Sequence, residues 1–339
     1  MSWLIFLTLL LPTSQDPQIP PIGIIDFYGL RSVSERQIRE ALQIKEGDSL
    51  TNNVQEAKRM AALRLESLPG VAEARIGLVC CDAGKATLYV GIREKGTPSL
   101  QFLPVPRGKA RLPQDVIQAG ADEYKALSDA ILKGNSGEDD SHGHALSNDP
   151  AARAIQERFI TFAARDLKLL RDVLRHSDDE DHRALAAQVI AYTANKQAVV
   201  NALVEAMRDP AGEARNNAMR ALWVMAKSKQ QTTKQPIKIP VQPFIDMLNS
   251  IEWTDRNKSS WALVSLTEKR DPAVLSELRQ KALPSLIEMA RWKSSAHAQA
   301  SFILLGRIAE LPEDEIFVAW ERGERASFIE LAVGRIKTK

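Results

Sequence analysis

The sequence predicts two joined folds: a small α+β domain of β-α-α-β-β order, followed by an all-α solenoid. Three observations carry this reading. Between residues 20 and 97 the apolar spacing passes from a short run, through two stretches at helical steps, to strict alternation. Beyond residue 150 apolar residues recur at steps of three and four. Four helix-length segments in that second half also align with one another. At 339 residues and 44% apolar side chains, the chain can build two cores.

The chain opens with MSWLIFLTLLLPTSQ. Trp3 to Leu11 form an apolar run interrupted only by Thr8, far short of the ~20 residues a spanning helix needs. Pro12, Thr13 and Ser14 follow, as small and helix-breaking residues do near a cleavage site. No Lys or Arg precedes the run, and a short anchor is the alternative. The expectation is a signal peptide over 1–15, a periplasmic or otherwise exported mature chain, and no integral membrane span.

In the first domain, Ile22, Ile24, Ile25 and Phe27 form a strand that ends at Gly29. Ser34 and Gln37 have the spacing of a capping box, and Val33 and Ile38 that of a hydrophobic staple. A second helix is expected from about Thr51 to Leu68, its face made by Val54, Ala57, Ala61, Leu65 and Leu68, with Pro69-Gly70 as the stop. Ile76, Leu78 and Cys80 then alternate with Val79 and Cys81, and Leu88, Val90 and Ile92 return after a DAGK turn. Alternation places Cys80 inward and Cys81 outward. Adjacent cysteines close a disulfide only with distortion, and the chain has no further cysteine to complete a metal site. An interchain disulfide through Cys81 is the remaining option.

The stretches IIDFYGL, REALQIKEGDSL, LESLPGVAEARI and LYVGIREK, in that order, resemble a POTRA domain over residues 20–97. This β-α-α-β-β module belongs to bacterial envelope proteins. The resemblance implies docking of other polypeptides, often by strand addition at a sheet edge. Here there is one copy, and no outer-membrane barrel follows.

Residues 98–150 read as a linker, punctuated by Pro98, Pro104, Pro106 and Pro113. One amphipathic helix interrupts it, with Val116, Ala119, Ala121, Tyr124, Leu127 and Ile131 as its face up to Gly134. The polar loop NSGEDDSHGHALSNDP follows. It sets His142 and His144 beside Glu138, Asp139 and Asp140, a donor set that suits zinc or copper. An H-x-H in a loop lacks fixed third and fourth ligands, so the reading is a solvated loop with no metal.

From 151 to 339 the solenoid is expected. Segments starting at His182, Ala214, Arg256 and His297 bring Arg183, Arg215, Asn257 and Ala298 to one register. Ala186, Ala218, Ser260 and Ser301 fall three residues on, where small side chains let helices approach. Another amphipathic helix precedes each segment, and Asp209-Pro210 marks the cleanest turn, with Glu213 in the next helix's first turn. The Asp209-Pro210 turn with Arg215, Ala218 and Leu222 is similar to HEAT repeats, including their short bacterial variant, over about 155–310. Asn257 and Ala298 replace the arginine later, which predicts weaker turn contacts there. The terminal ASFIELAVGRIKTK reads as a cap. Stacked helix pairs of this kind present an extended surface that usually binds a partner.

SIEWTDRNKSSW gathers Trp253, Asp255, Arg256, Lys258 and Trp261 at one helix start, a protein-binding candidate because Trp and Arg dominate interface anchors. The alternative is an N-cap at Thr254 or Asp255, with one tryptophan packed on the next repeat. Net charge is +2, from 45 basic and 43 acidic residues, which gives no chain-wide footprint for nucleic acid. No nucleophile elbow, P-loop, dinucleotide fingerprint or zinc-protease helix occurs in the sequence. The HEAT resemblance also admits lyases acting on bilins and enzymes excising damaged DNA bases. The reading the sequence supports is a non-enzymatic exported scaffold with no cofactor, protein partners in the cell envelope and no nucleic-acid partner.

Overall fold

The computed structural model describes residues 20–50, 53–82, 84–135, 137–228 and 236–337. The expected signal peptide lies outside them.

The first domain has the expected order: β1 (Ile22–Tyr28), α1 (Glu35–Leu42), α2 (Val54–Glu66), β2 (Val71–Asp82) and β3 (Lys85–Glu94). β3 is central, parallel to β1 and antiparallel to β2. The capping box forms: Ser34 accepts from the Gln37 backbone N–H, and the Gln37 side chain accepts from the Ser34 N–H at 3.1 Å. Ile38 and Leu42 of α1, with Ala61 and Leu65 of α2, pack on Ile25, Leu88, Val90 and Ile92 of the sheet. Glu94 ties the chain after β1 to β3 by accepting from the backbone N–H groups of Arg31, Ser32 and Val33 and from the Ser32 hydroxyl.

The cysteines depart from expectation. Cys80 is exposed rather than inward, because the β2–β3 register shifts between Val79 and Asp82 and breaks the alternation. It also stands in a disulfide.

The second half is a stack of helix pairs. α4 (Pro150–His176), kinked at Asp166, runs into α5 (Glu180–Ile190). The next pairs are α6 (Gln197–Ala206) with α7 (Gly212–Lys227), α8 (Gln242–Met247) with α9 (Trp253–Leu266), and α10 (Pro272–Ala290) with α11 (Ser295–Ile308). α12 (Glu313–Glu321) and α13 (Arg325–Lys337) pack on α11, with Phe328 stacked on Phe302 at 4.2 Å.

Buried arginines link the pairs at their turns. Arg183 reaches both oxygens of Asp209, at 2.7 and 2.9 Å, and donates to the Ser177 carbonyl. Arg215 pairs with Asp255 at 3.1 Å and donates to the Asp209 and Pro210 carbonyls. Arg256 donates to the Ser250 carbonyl and pairs with Glu288 at 2.9 Å. Each arginine thus bonds a carbonyl six residues before it, so the third member of the series is Arg256. The repeat register puts Asn257 there, one residue late, and the expected weakening in that repeat does not occur.

The first half of the chain covers these turns. The sheet face opposite α1 and α2 lies on the α8–α9 and α10–α11 turns. Tyr28 donates to the Ile251 carbonyl at 2.6 Å, and its ring lies under Arg256. Tyr89 stacks on Trp253 with ring centroids 5.1 Å apart, and its hydroxyl meets His297 Nδ1 at 2.6 Å. Asp26 accepts from the Lys293 backbone N–H, while the Lys293 ammonium donates to the Ile25 carbonyl. A Cβ on Gly77 would fall 2.1 Å from the Trp253 ring, and one on Gly91 the same distance from the Ile251 carbonyl. Only glycine permits so close an approach at either position.

The linker continues along the same edge. Leu103 N–H donates to the Arg208 carbonyl, Phe102 lies under Arg215 at 4.0 Å, and Gly108 pairs with Ser177. It ends in α3 (Gln114–Leu132), after which β4 (Glu138–Asp139) and β5 (Leu146–Ser147) make a small hairpin where a loop was expected. The buried face of α3 is Val116, Ala119, Glu123 and Ala130. Tyr124 and Ile131, expected to be on it, are 76% and 52% exposed.

Two outcomes follow. Asp255→Ala leaves Arg215 buried without its counter-ion and should cost about 3–5 kcal/mol in urea unfolding. The second concerns Glu94, whose burial would raise its pKa. The Ser32 hydroxyl and the three backbone N–H groups outweigh that and hold it at about 2 against an ordinary 4.5. A depressed carboxylate stabilises fully above its ordinary pKa and loses that contribution as pH falls toward the folded value. Glu94→Gln should therefore cost about 1–3 kcal/mol at pH 7, and its gap to the native protein in thermal melts should narrow below about pH 4.5.

Candidate functional site

The second helices of the pairs, α5, α7, α9 and α11, pack side by side in sequence order. With their turn edge covered by the sheet and linker, their remaining face is the candidate surface. α3 borders it at one end, meeting α5 where Gly120 lies on Leu185. The β4–β5 hairpin is fastened beside α3 by ion pairs of Glu138 with Arg220 and of Asp140 with Lys227.

Between α3, the hairpin, α5 and α7 is a cleft of about 510 Å³. Glu123 lies at its wall, accepting from the side-chain amides of Gln156 at 3.0 Å and Gln188 at 3.1 Å. Gln156 is oriented by the Ser147 N–H, which donates to its Oε1 at 2.6 Å. Burial pushes the Glu123 carboxyl up, opposed by those two amides. Tyr192 crosses the floor, donating to the Ala145 carbonyl at 2.7 Å.

His144 is not in a solvated loop. Its ring packs on Tyr192, with centroids 4.9 Å apart, and its Nδ1 is 2.8 Å from Lys196 Nζ. Burial, then the neighbouring Lys196 charge, lowers its pKa to about 4, so it is neutral at pH 7 and accepts from Lys196. Burial lowers Lys196 to about 8, and its ammonium also donates to the Ala191 carbonyl. His142 remains exposed. Among the described residues, no group of three or more His, Cys, Asp or Glu side chains is arranged to hold a metal ion.

Toward α9 the face carries two indoles. Trp223 and Trp261 stack with centroids 6.0 Å apart, and Lys227 and Lys258 approach the Trp223 ring at 4.8 and 5.9 Å. Burial, then repulsion from Arg220, brings Lys258 down to about 8.

The five residues read as one binding cluster are thus divided. Trp253 lies against the sheet, while Asp255 and Arg256 are buried in the arginine series at 0% and 3% exposure. The first three are therefore engaged within the chain. Lys258 and Trp261 lie on the candidate face. Sequence reasoning missed Glu123, Gln188 and Arg220. The signal for Glu123 was its place in the 116–119–123 series of steps, where a carboxylate interrupts an apolar face.

Residues 167–238 match the HEAT-repeat family. No curated protein matches the chain. Among solved structures, a designed armadillo repeat protein in complex with the peptide (KR)4 is similar at 16% identity and a TM-score of 0.38, covering 66% of this chain and 99% of that one. The helical half is a repeat solenoid containing HEAT repeats. No helix among the described residues is long and apolar enough to cross a membrane.

The division of the cluster has a measurable consequence. Trp253→Ala should lower stability by about 3 kcal/mol through loss of the sheet contact. Lys258→Met, which removes a partly desolvated charge with no ion pair among the described residues, should leave stability unchanged or raise it. Denaturant titration followed by circular dichroism distinguishes the two.

Proposed function

We propose that the protein is a non-catalytic scaffold, exported from the cytoplasm, whose second-helix face receives a segment of a partner protein in the cell envelope. The observation that carries this reading is the closure of the turn edge by the first half of the chain. What stays open on the solenoid is the face of α5, α7 and α9, and that face presents the stacked Trp223 and Trp261. Paired indoles supply contact area at little conformational cost, as interface anchors do. Arg220 and Lys227 on the same face are neutralised by Glu138 and Asp140, which favours a protein segment over a phosphate backbone.

The first domain is POTRA-like in this reading, supported by its element order and by two helices on one sheet face. Its opposite face is engaged by the solenoid. The outer edge of β1 is also occupied: Ile22 exchanges backbone hydrogen bonds with Asp48 and Gly47, and the Ile25 carbonyl accepts from Lys293. Strand addition would therefore use β2, whose outer edge from Ile76 to Val79 has no partner strand among the described residues.

Two measurements test the proposal. Residues 1–30 fused to a reporter active only outside the cytoplasm should give activity, and a silent fusion would remove the export claim. Crosslinked capture from envelope extracts should yield a protein with the native chain and lose it with Trp223→Ala/Trp261→Ala at unchanged circular dichroism. Equal capture by the folded double variant would move the partner off this face.

A further inference from the structure

We propose that the cleft between α3, the β4–β5 hairpin, α5 and α7 is a binding site for an organic cation, an ammonium or guanidinium group on an apolar stem. This does not depend on the protein-partner reading, because the Trp223–Trp261 pair lies outside the cleft lining.

The argument begins with Glu123. It is 4% exposed and occupies a position in α3 whose neighbours in the series, Val116, Ala119 and Ala130, are all apolar and buried. Both glutamine amides donate to its Oε1. Oε2 makes no hydrogen bond among the described residues and is not fully enclosed by protein, and Glu123 lines the cleft. One carboxylate oxygen is therefore anchored and the other faces the cavity. The amides are neutral and fix the geometry without cancelling the charge. The Ser147 N–H holds Gln156 so that it presents its NH2 to Glu123, which keeps the site an acceptor.

The surrounding charge is one-sided. Asp181 and Glu213 stand exposed at the mouth and form no ion pair among the described residues. The cation lining the cleft, Arg220, is held by Glu138. Lys196 is turned to Ala191 and His144, donating a hydrogen bond to each. Cavities that hold small ligands pair apolar walls with a few convergent polar groups. Here Leu127, Leu185 and Val224 supply the walls, and Tyr124 stands at the rim where a cation can lie over its ring. Glu123 has no ion-pair partner among the described residues and feels the Arg220 charge only at a distance; a buried carboxylate so placed is costly, and a ligand that brings a counter-ion recovers that cost.

The test is calorimetry on the native full-length protein with pentylamine, butylguanidine and the neutral analogue pentanol. Both cations should bind, at least tenfold more tightly than the alcohol, and the binding should weaken as salt is raised. Glu123→Gln, of the same shape without the charge, should lose at least tenfold in affinity with its circular dichroism intact. If that variant fails to fold, Asp181→Asn/Glu213→Gln, altered only at exposed positions, should weaken binding several-fold. No cation binding at millimolar concentration, equal binding of pentanol, or a folded Glu123→Gln that binds as the native protein does would each overturn the proposal. A second arm distinguishes the source. Alanine peptides carrying one Lys or Arg, bound more tightly than the free amines, assign the site to a partner's side chain, and the reverse order assigns it to a small amine.

Discussion

The series of buried arginines at the turns is the constraint on which the rest of the structure depends. A single helix pair cannot bury its apolar face, so the solenoid exists only as a stack. Apolar packing sets the spacing of that stack loosely, because one aliphatic contact resembles another. A guanidinium that must meet the carboxylate of the next repeat and a carbonyl of its own turn has one solution. Arg183 with Asp209, and Arg215 with Asp255, thereby fix the register between neighbouring pairs. Such pairs add little net stability over an apolar replacement but are costly to leave half-made. They act here as registration devices.

The same arginines prepare the surface on which the first half of the chain rests. Phe102 lies under Arg215 and Tyr28 under Arg256, so the flat guanidinium faces left over from ion pairing are covered by aromatic rings. The sheet, the linker and α3 then follow one edge of the stack and leave the second-helix face clear. The candidate site is consequently a remainder. It is defined by what the N-terminal half covers as much as by the residues that line it.

Much of this was legible in the sequence. The element order of the first domain, the helix pairs and the small residues between them follow from apolar periodicity, which local spacing reports directly. What escaped was set by contacts between distant segments. Tyr28 and Tyr89 belong to no apolar face that the strand alternation marks, and Trp253 reads as a surface anchor, yet the two tyrosines are buried and Trp253 is covered by contact between the two halves of the chain. His144 lies in a stretch too polar to suggest packing, and only the ring of Tyr192 and the ammonium of Lys196 explain its place. Glu123 was lost because the α3 face was drawn through Tyr124 and Ile131, which rotates the helix away from its core. The slip of Asn257 for Arg256 has the same origin: side-chain type alone does not fix register where the turn length changes.

The contact between Asp26 and Lys293 joins residues 267 apart in the chain. A ribosome releases the sheet long before α10 and α11 exist, so the tyrosine face of the first domain is made early and covered late. Contacts of such separation are slow to form, and surfaces waiting for them are exposed to mispairing. The module that is synthesised first is therefore finished last, and a chain halted anywhere before the α8–α9 turn carries that face bare.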